Sequence, residues 1–148
     1  MIKSRPIALC LLSLLICAVS LNGCSPSISL FDEQAYRQAV NLKVDALDLM
    51  QKARAPYADY QSDVADLQKE LNRAYEYANG QPRNDWSARQ WALLKDPERN
   101  LLGGFLKHWK DESRLSPVLI EEAKKNVAAA FDTIIELESG KIKPSELR

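Results

Sequence analysis

Residues 57–78 carry the pattern that most restricts this chain. Tyr57, Tyr60, Val64, Leu67, Leu71, Ala74 and Ala78 recur at steps of 3-4-3-4-3-4. Side chains three and four apart share one face of an α-helix, whereas those of a strand alternate every second residue. The row is therefore an apolar stripe that needs other helices to cover it. The same spacing returns on both sides. Ala35, Ala39, Leu42, Ala46, Leu49 and Ala53 form one row, with Tyr36, Val40, Leu47 and Met50 beside it. Ile120, Ala123, Val127, Ala130, Ile134 and Leu137 form another, with Phe131 and Ile135 adjacent.

Local signals set the ends of these segments. Asp32 is suited to cap a first helix running to about Arg54, with Glu33 in its first turn. A second helix is predicted from about Pro56 to Asn79, stopped by Gly80. Proline fits the first turn of a helix and disfavours helix at the residue before it. Pro56 thus divides the two. The apolar rows nevertheless run on from Ala53 to Tyr57. Both a tight hairpin, the preferred reading, and one long kinked helix over 32–79 fit that pattern.

The middle, Gly80 to Ser116, is less regular. The stretch "WSARQWALLKD" reads as a short helix, and Asp96-Pro97-Glu98 as a cap and restart. Leu102, Phe105, Leu106 and Trp109 then share a face interrupted by Gly103-Gly104. Two helix-interior glycines cost about 2 kcal/mol against alanine. They mark a bend or a close backbone approach. Ser116 and Pro117 open the last helix and Gly140 closes it.

The three long segments are each about 23 residues, or roughly 35 Å at 1.5 Å per residue. Equal lengths and short connections predict an all-α fold. It is an up-down helical bundle of about four helices over residues 32–140, its third element broken. Residues 141–148 read as a loose C-terminal tail.

The chain begins with Lys3 and Arg5, followed by sixteen uncharged residues from Pro6 to Leu21 and then "LNGCS". A membrane-spanning helix needs about 20 apolar residues, and a shorter core behind a basic start is the mark of a signal peptide. Leu21, Gly23 and Cys24 resemble the signal of bacterial lipoproteins, with Asn22 at the variable place. The resemblance covers residues 1–25. It implies a leader over 1–23 and a diacylglyceryl thioether on Cys24, with an acyl chain (palmitate or similar) on the new amino terminus. Residues 24–31 would then form a lipidated tether. Ser25 stands where an aspartate goes with retention at the inner membrane, so the resemblance points to the periplasmic face of the outer membrane. An ordinary secretory peptide or a retained anchor is the alternative.

Cleavage at that point leaves 125 of the 148 residues, one domain's worth. Cys10 and Cys17 depart with the leader, so Cys24 is the one remaining cysteine and its sulfur carries lipid. Disulfide, thiolate and zinc-thiolate chemistry are then excluded. Removing Lys3 and Arg5 from 20 basic residues leaves 18 against 20 acidic ones. That balance shows no electrostatic footprint for nucleic acid.

No reactive constellation stands out. His108 is the sole histidine, which excludes two-histidine metal motifs, and its neighbours read as an exposed helix surface beside a buried Trp109. Asp63, Asp66 and Glu70 share one side of the second helix and read as a solvated face. "NLLGGFLKHW" lacks the spacing and the Lys-Ser/Thr ending of a phosphate loop. No metal and no cofactor is expected. Trp86, Tyr75 and Tyr77 stand off the main apolar rows and are candidates for a binding surface, because aromatics are enriched at interfaces. Gly103, Gly104, Phe105 and Trp109 are candidates for a groove or pocket.

The expected function is a non-enzymatic helical interaction module, held to the membrane through lipid on Cys24. Its partner would be another envelope protein or a second copy. The alternative is a carrier of a small ligand or lipid in a pocket near Gly103–Trp109. A hydrolase built on His108 is the remaining reading.

Overall fold

The computed structural model describes residues 31–140. The leader, Cys24 with most of the tether, and the tail 141–148 lie outside the described residues. Five α-helices follow in order: α1 (Glu33–Gln51), α2 (Gln61–Gly80), α3 (Asp85–Lys95), α4 (Leu102–Glu112) and α5 (Pro117–Glu138). Among the described residues there is no strand, and no helix is long and apolar enough to cross a membrane.

α1 starts where its cap dictates. The Asp32 carboxylate accepts from the backbone N–H of Gln34 at 2.8 Å and of Ala35 at 3.2 Å. These are two of the four donors that a helix start leaves without partners. The other end tightens into a 3₁₀ turn, Lys52–Arg54, and breaks at Ala55, which is extended (φ −94°, ψ 166°) because a proline follows. A second 3₁₀ turn, Tyr57–Tyr60, leads into α2. The chain has reversed by then. The Tyr77 hydroxyl, near the far end of α2, donates to Asp32 at 2.6 Å. Residues 32–79 therefore make a hairpin.

The next reversal differs in detail from the expectation. Gly80 is the last residue of α2, not the stop beyond it, and the left-handed position falls on Arg83 (φ 62°). α3 then runs back along α2, as the Lys95–Asn72 hydrogen bond shows. α5 runs antiparallel to α1, tied by Lys43–Asp132 near its middle and by Gln51–Glu121 at one end. Trp91 of α3 meets Phe131 of α5 edge to face, with ring centroids 5.9 Å apart. α1, α2, α3 and α5 thus form an up-down-up-down square.

α4 is not the second half of a broken strut. Asp96 and Pro97 do not restart a helix. Asp96 instead closes a turn, accepting from the Glu98 N–H at 2.9 Å, and α4 begins only at Leu102. From there α4 crosses the end of the square. Its first turn lies against the end of α3, and its last turn reaches the α1–α2 reversal. Tyr57 N–H donates to Ser113 O at 2.8 Å and Leu115 N–H to Ala53 O at 2.8 Å. Trp109, fully buried, sends its indole N–H to Ala55 O at 3.1 Å. Tyr57 and Tyr60 pack on its ring at 5.5 and 5.9 Å.

The apolar rows become the core. Every member of the Ala35–Ala53 row is buried, as are Val64, Leu67, Leu71, Ala74 and Ala78 of α2 and Ile120, Val127, Ile134 and Leu137 of α5. Ser116 caps α5 through Leu119 N–H at 3.3 Å, with Pro117 in the first position, as its sequence predicts.

The two central glycines have a packing reason. A Cβ on Gly103 would lie 2.2 Å from Lys95 O, and one on Gly104 would lie 1.9 Å from Arg99 O, both backbone atoms. Gly103→Ala is expected to destabilise by about 1–3 kcal/mol through overpacking. Gly80→Ala, where a Cβ meets nothing within 4 Å, is expected to be neutral or to stabilise by about 0.5–1 kcal/mol, because alanine replaces a helical glycine. Urea unfolding of the two variants checks the opposite signs.

Candidate functional site

The aromatic candidates do not form one patch. Tyr75 leans from α2 toward α3, where the Lys95 ammonium stands 4.2 Å from its ring centre. Tyr77 leans from α2 the other way, toward α1, and is spent on Asp32. Trp86, in the first turn of α3, carries the Arg89 guanidinium 5.2 Å over its ring. Each is half-buried and each has an intramolecular partner.

The pocket candidates are divided by α4. Gly103 looks toward a cleft with Leu71, Ala92 and Leu106. Gly104 and Phe105 look the other way, into an open cleft of about 320 Å³ between α4 and α5. Leu101, Leu119 and Ala123 complete its apolar floor, and His108, Glu122 and Asn126 stand at its rim. Trp109 belongs to neither surface, since it is sealed in the core. Val118, 69 % exposed, lies in the same first turn of α5 as Leu119 but does not line the cleft. An apolar floor with a polar rim is the layout of a small contact surface. His108 and Glu122 supply hydrogen-bonding groups at its edge.

A third cleft lies between α1 and α2. Asp45, Asp48, Asp63, Asp66 and Glu70 line it, with Lys52 as the one cation among its lining residues. Among the described residues no three His, Cys, Asp or Glu side chains converge to hold a metal ion. These carboxylates are spread along the cleft and do not gather at a point.

The end of the square opposite α4 holds a cluster of polar groups. Asp32 there accepts from Tyr77, from Gln81 Nε2 at 3.3 Å and from its two backbone donors. The Tyr77 hydrogen bond is the main reason its carboxyl lies below the ordinary aspartate value. The same bond holds the Tyr77 phenol above its own. Beside them Glu138 is buried at 3 % exposure, with Asn84 at 2 % and Ser87 at 1 %. Asn84 Nδ2 comes within 3.5 Å of Glu138 Oε1, while Asn84 Oδ1 and Ser87 Oγ find no partner of normal geometry. Burial raises the Glu138 carboxyl above the ordinary glutamate value. Ser87 and Asn84 offset part of that, and the Asp32 charge adds to it. One signal for this cluster was present in the sequence: Glu138 continues the row Val127, Phe131, Ile134 by one more four-residue step.

Tyr77→Phe is expected to move the Asp32 carboxyl back up toward the ordinary aspartate value. Stability that Asp32 supplies is complete above the unfolded value of 3.8 and is lost as pH falls through the lowered folded one. The variant should therefore lose less stability on acidification than the parent. Carboxyl NMR titration with acid unfolding of both proteins reads this. An unshifted Asp32 would show that the phenol is not what holds it down.

Comparison of the chain with protein-family models, with the curated proteins and with solved structures returns no match.

Proposed function

We propose that this chain is a lipid-anchored, non-enzymatic interaction module of the bacterial cell envelope. The observation that carries the reading is "LNGCS" after the uncharged run Pro6–Leu21. One acyl chain holds a protein to a membrane only marginally, while two or three hold it firmly. The distance from Cys24 to Phe31 is at most about 25 Å in extended chain, so the Asp32 end of the bundle would lie close to the bilayer. The α4 end would then face away from it.

That placement favours the α4–α5 cleft as the surface offered to a partner protein. It combines Phe105 and Leu119 in the floor with a rim of His108, Glu122 and Asn126, and Val118 is exposed in the same first turn of α5. A small-ligand carrier is the second reading, favoured by the same cleft. Its volume of about 320 Å³ lies at the lower edge of the range for small-molecule sites, about 300–1,000 Å³. Its openness suits a protein side chain better than an enclosed ligand.

Cys24→Ala is expected to abolish incorporation of a palmitate analogue and to release the chain from the membrane fraction. Unchanged labelling would remove the anchor reading. For the surface, photo-crosslinking from position 118 in intact cells should yield a discrete adduct, and position 44 on the α1 flank should not. Equal adducts from both positions, or none with a monomer by light scattering, would count against a partner at the α4 end.

A further inference from the structure

We propose that the Asp32 end of the bundle is a proton-operated latch. In its neutral form Glu138 donates a hydrogen bond to Asn84 and ties the end of α5 to the start of α3, and its ionisation releases that end. The inference does not depend on the lipid anchor.

The geometry is a question of matching donors to acceptors. An ionised carboxylate accepts only. Around it stand the Asn84 amide and the Ser87 hydroxyl, whose Oδ1 and Oγ are buried without partners. The Asn84 Nδ2 contact with Oε1 is long, at 3.5 Å. Oxygen and nitrogen of an asparagine amide exchange places by a simple flip. With the flip, the O–H of a neutral Glu138 supplies the donor that Asn84 Oδ1 lacks, and the Ser87 hydroxyl donates to the other carboxyl oxygen. The Ser87 hydroxyl can donate to the carboxyl in either state, so what the proton decides is the donor for Asn84 Oδ1, and leaving a buried polar atom unsatisfied costs about 1–3 kcal/mol.

The surroundings favour the neutral acid. From α1 the facing charge is Asp32, an acceptor of four hydrogen bonds. From α2 the facing group is the uncharged phenol of Tyr77, whose proton is already committed to Asp32. α3 contributes only the uncharged Asn84 and Ser87. Glu138 is the last residue of α5, where the helix dipole is negative. Among the described residues no ion pair reaches it, and Arg83 in the nearby turn is exposed. Ionisation sends the proton to water and leaves a buried carboxylate beside Asp32. Solvation of that charge requires the last turn of α5 to part from residues 84–87.

The sign of the linkage follows. A carboxyl raised on folding contributes stability that is complete below its unfolded value, 4.5, and lost as pH rises through the folded one. Asp32, lowered on folding, acts in the opposite sense at the same end.

The test uses the intact chain. Carboxyl NMR titration should place Glu138 above the exposed glutamates of the same protein. Thermal stability of the parent should fall with rising pH relative to Glu138→Gln, a neutral mimic that keeps the latch closed. Amide exchange, corrected for its intrinsic pH dependence, should accelerate at residues 84–88 and 135–139 in the parent alone. Titration of Glu138 together with the surface glutamates overturns the proposal, as do parallel stability curves. Should Glu138→Gln fail to fold, the titration of the parent decides.

Discussion

The hydrogen bond from Trp109 to Ala55 O fixes how the end of the bundle is closed. The chain must reverse at Ala55–Pro56, and that reversal takes Ala55 out of helical geometry with its carbonyl turned inward. A buried carbonyl without a donor is costly. The indole N–H supplies one, and its ring fills the space between Tyr57 and Tyr60. α4 must therefore lie across the end of the square, because only there can its tryptophan reach the turn. The glycines at its other end follow from the same demand: α4 can cross only by pressing its backbone onto that of residues 95–99.

The two ends of the bundle are built on different chemistry. The α4 end is apolar and tightly closed, and its clefts are shallow and open to solvent. The other end is held by polar side chains, with one carboxyl kept charged by its donors and another disfavoured as a charge by burial. Two carboxyls pushed in opposite directions are a known arrangement for acid–base chemistry. Here they line none of the clefts described above, so the opposition acts on the fold itself.

Much of this was legible in the sequence where the cause is local. The Asp32 and Ser116 caps depend on side chains reaching backbone two or three residues away, and both appear as expected. The 3-4 rows depend only on helical spacing, and they fill the core. The hairpin at Pro56 was one of two readings, since the apolar rows run straight through it and only a contact 45 residues distant, Tyr77 to Asp32, decides between them. The direction of α4 was not legible, because a close approach of backbones leaves no mark beyond two glycines that a simple bend would explain equally. Tyr75 and Trp86 looked unpartnered for a similar reason. The cations that cover them, Lys95 and Arg89, lie outside the apolar rows.

The seam at the α4 end also bears on how the chain assembles. The α1–α2 and α2–α3 hairpins join segments that are neighbours along the chain. Trp109 and Ala55 are separated by 54 residues, and Lys43 and Asp132 by 89. Long-range contacts carry the larger loop-closure entropy and slow the steps that form them. Hairpin formation can proceed before either distant contact exists, whereas docking of α4 requires the reversal at Ala55 to be in place to receive its tryptophan. Docking of α4 thus depends on the reversal at Ala55, and the burial of the indole reports that the two have met.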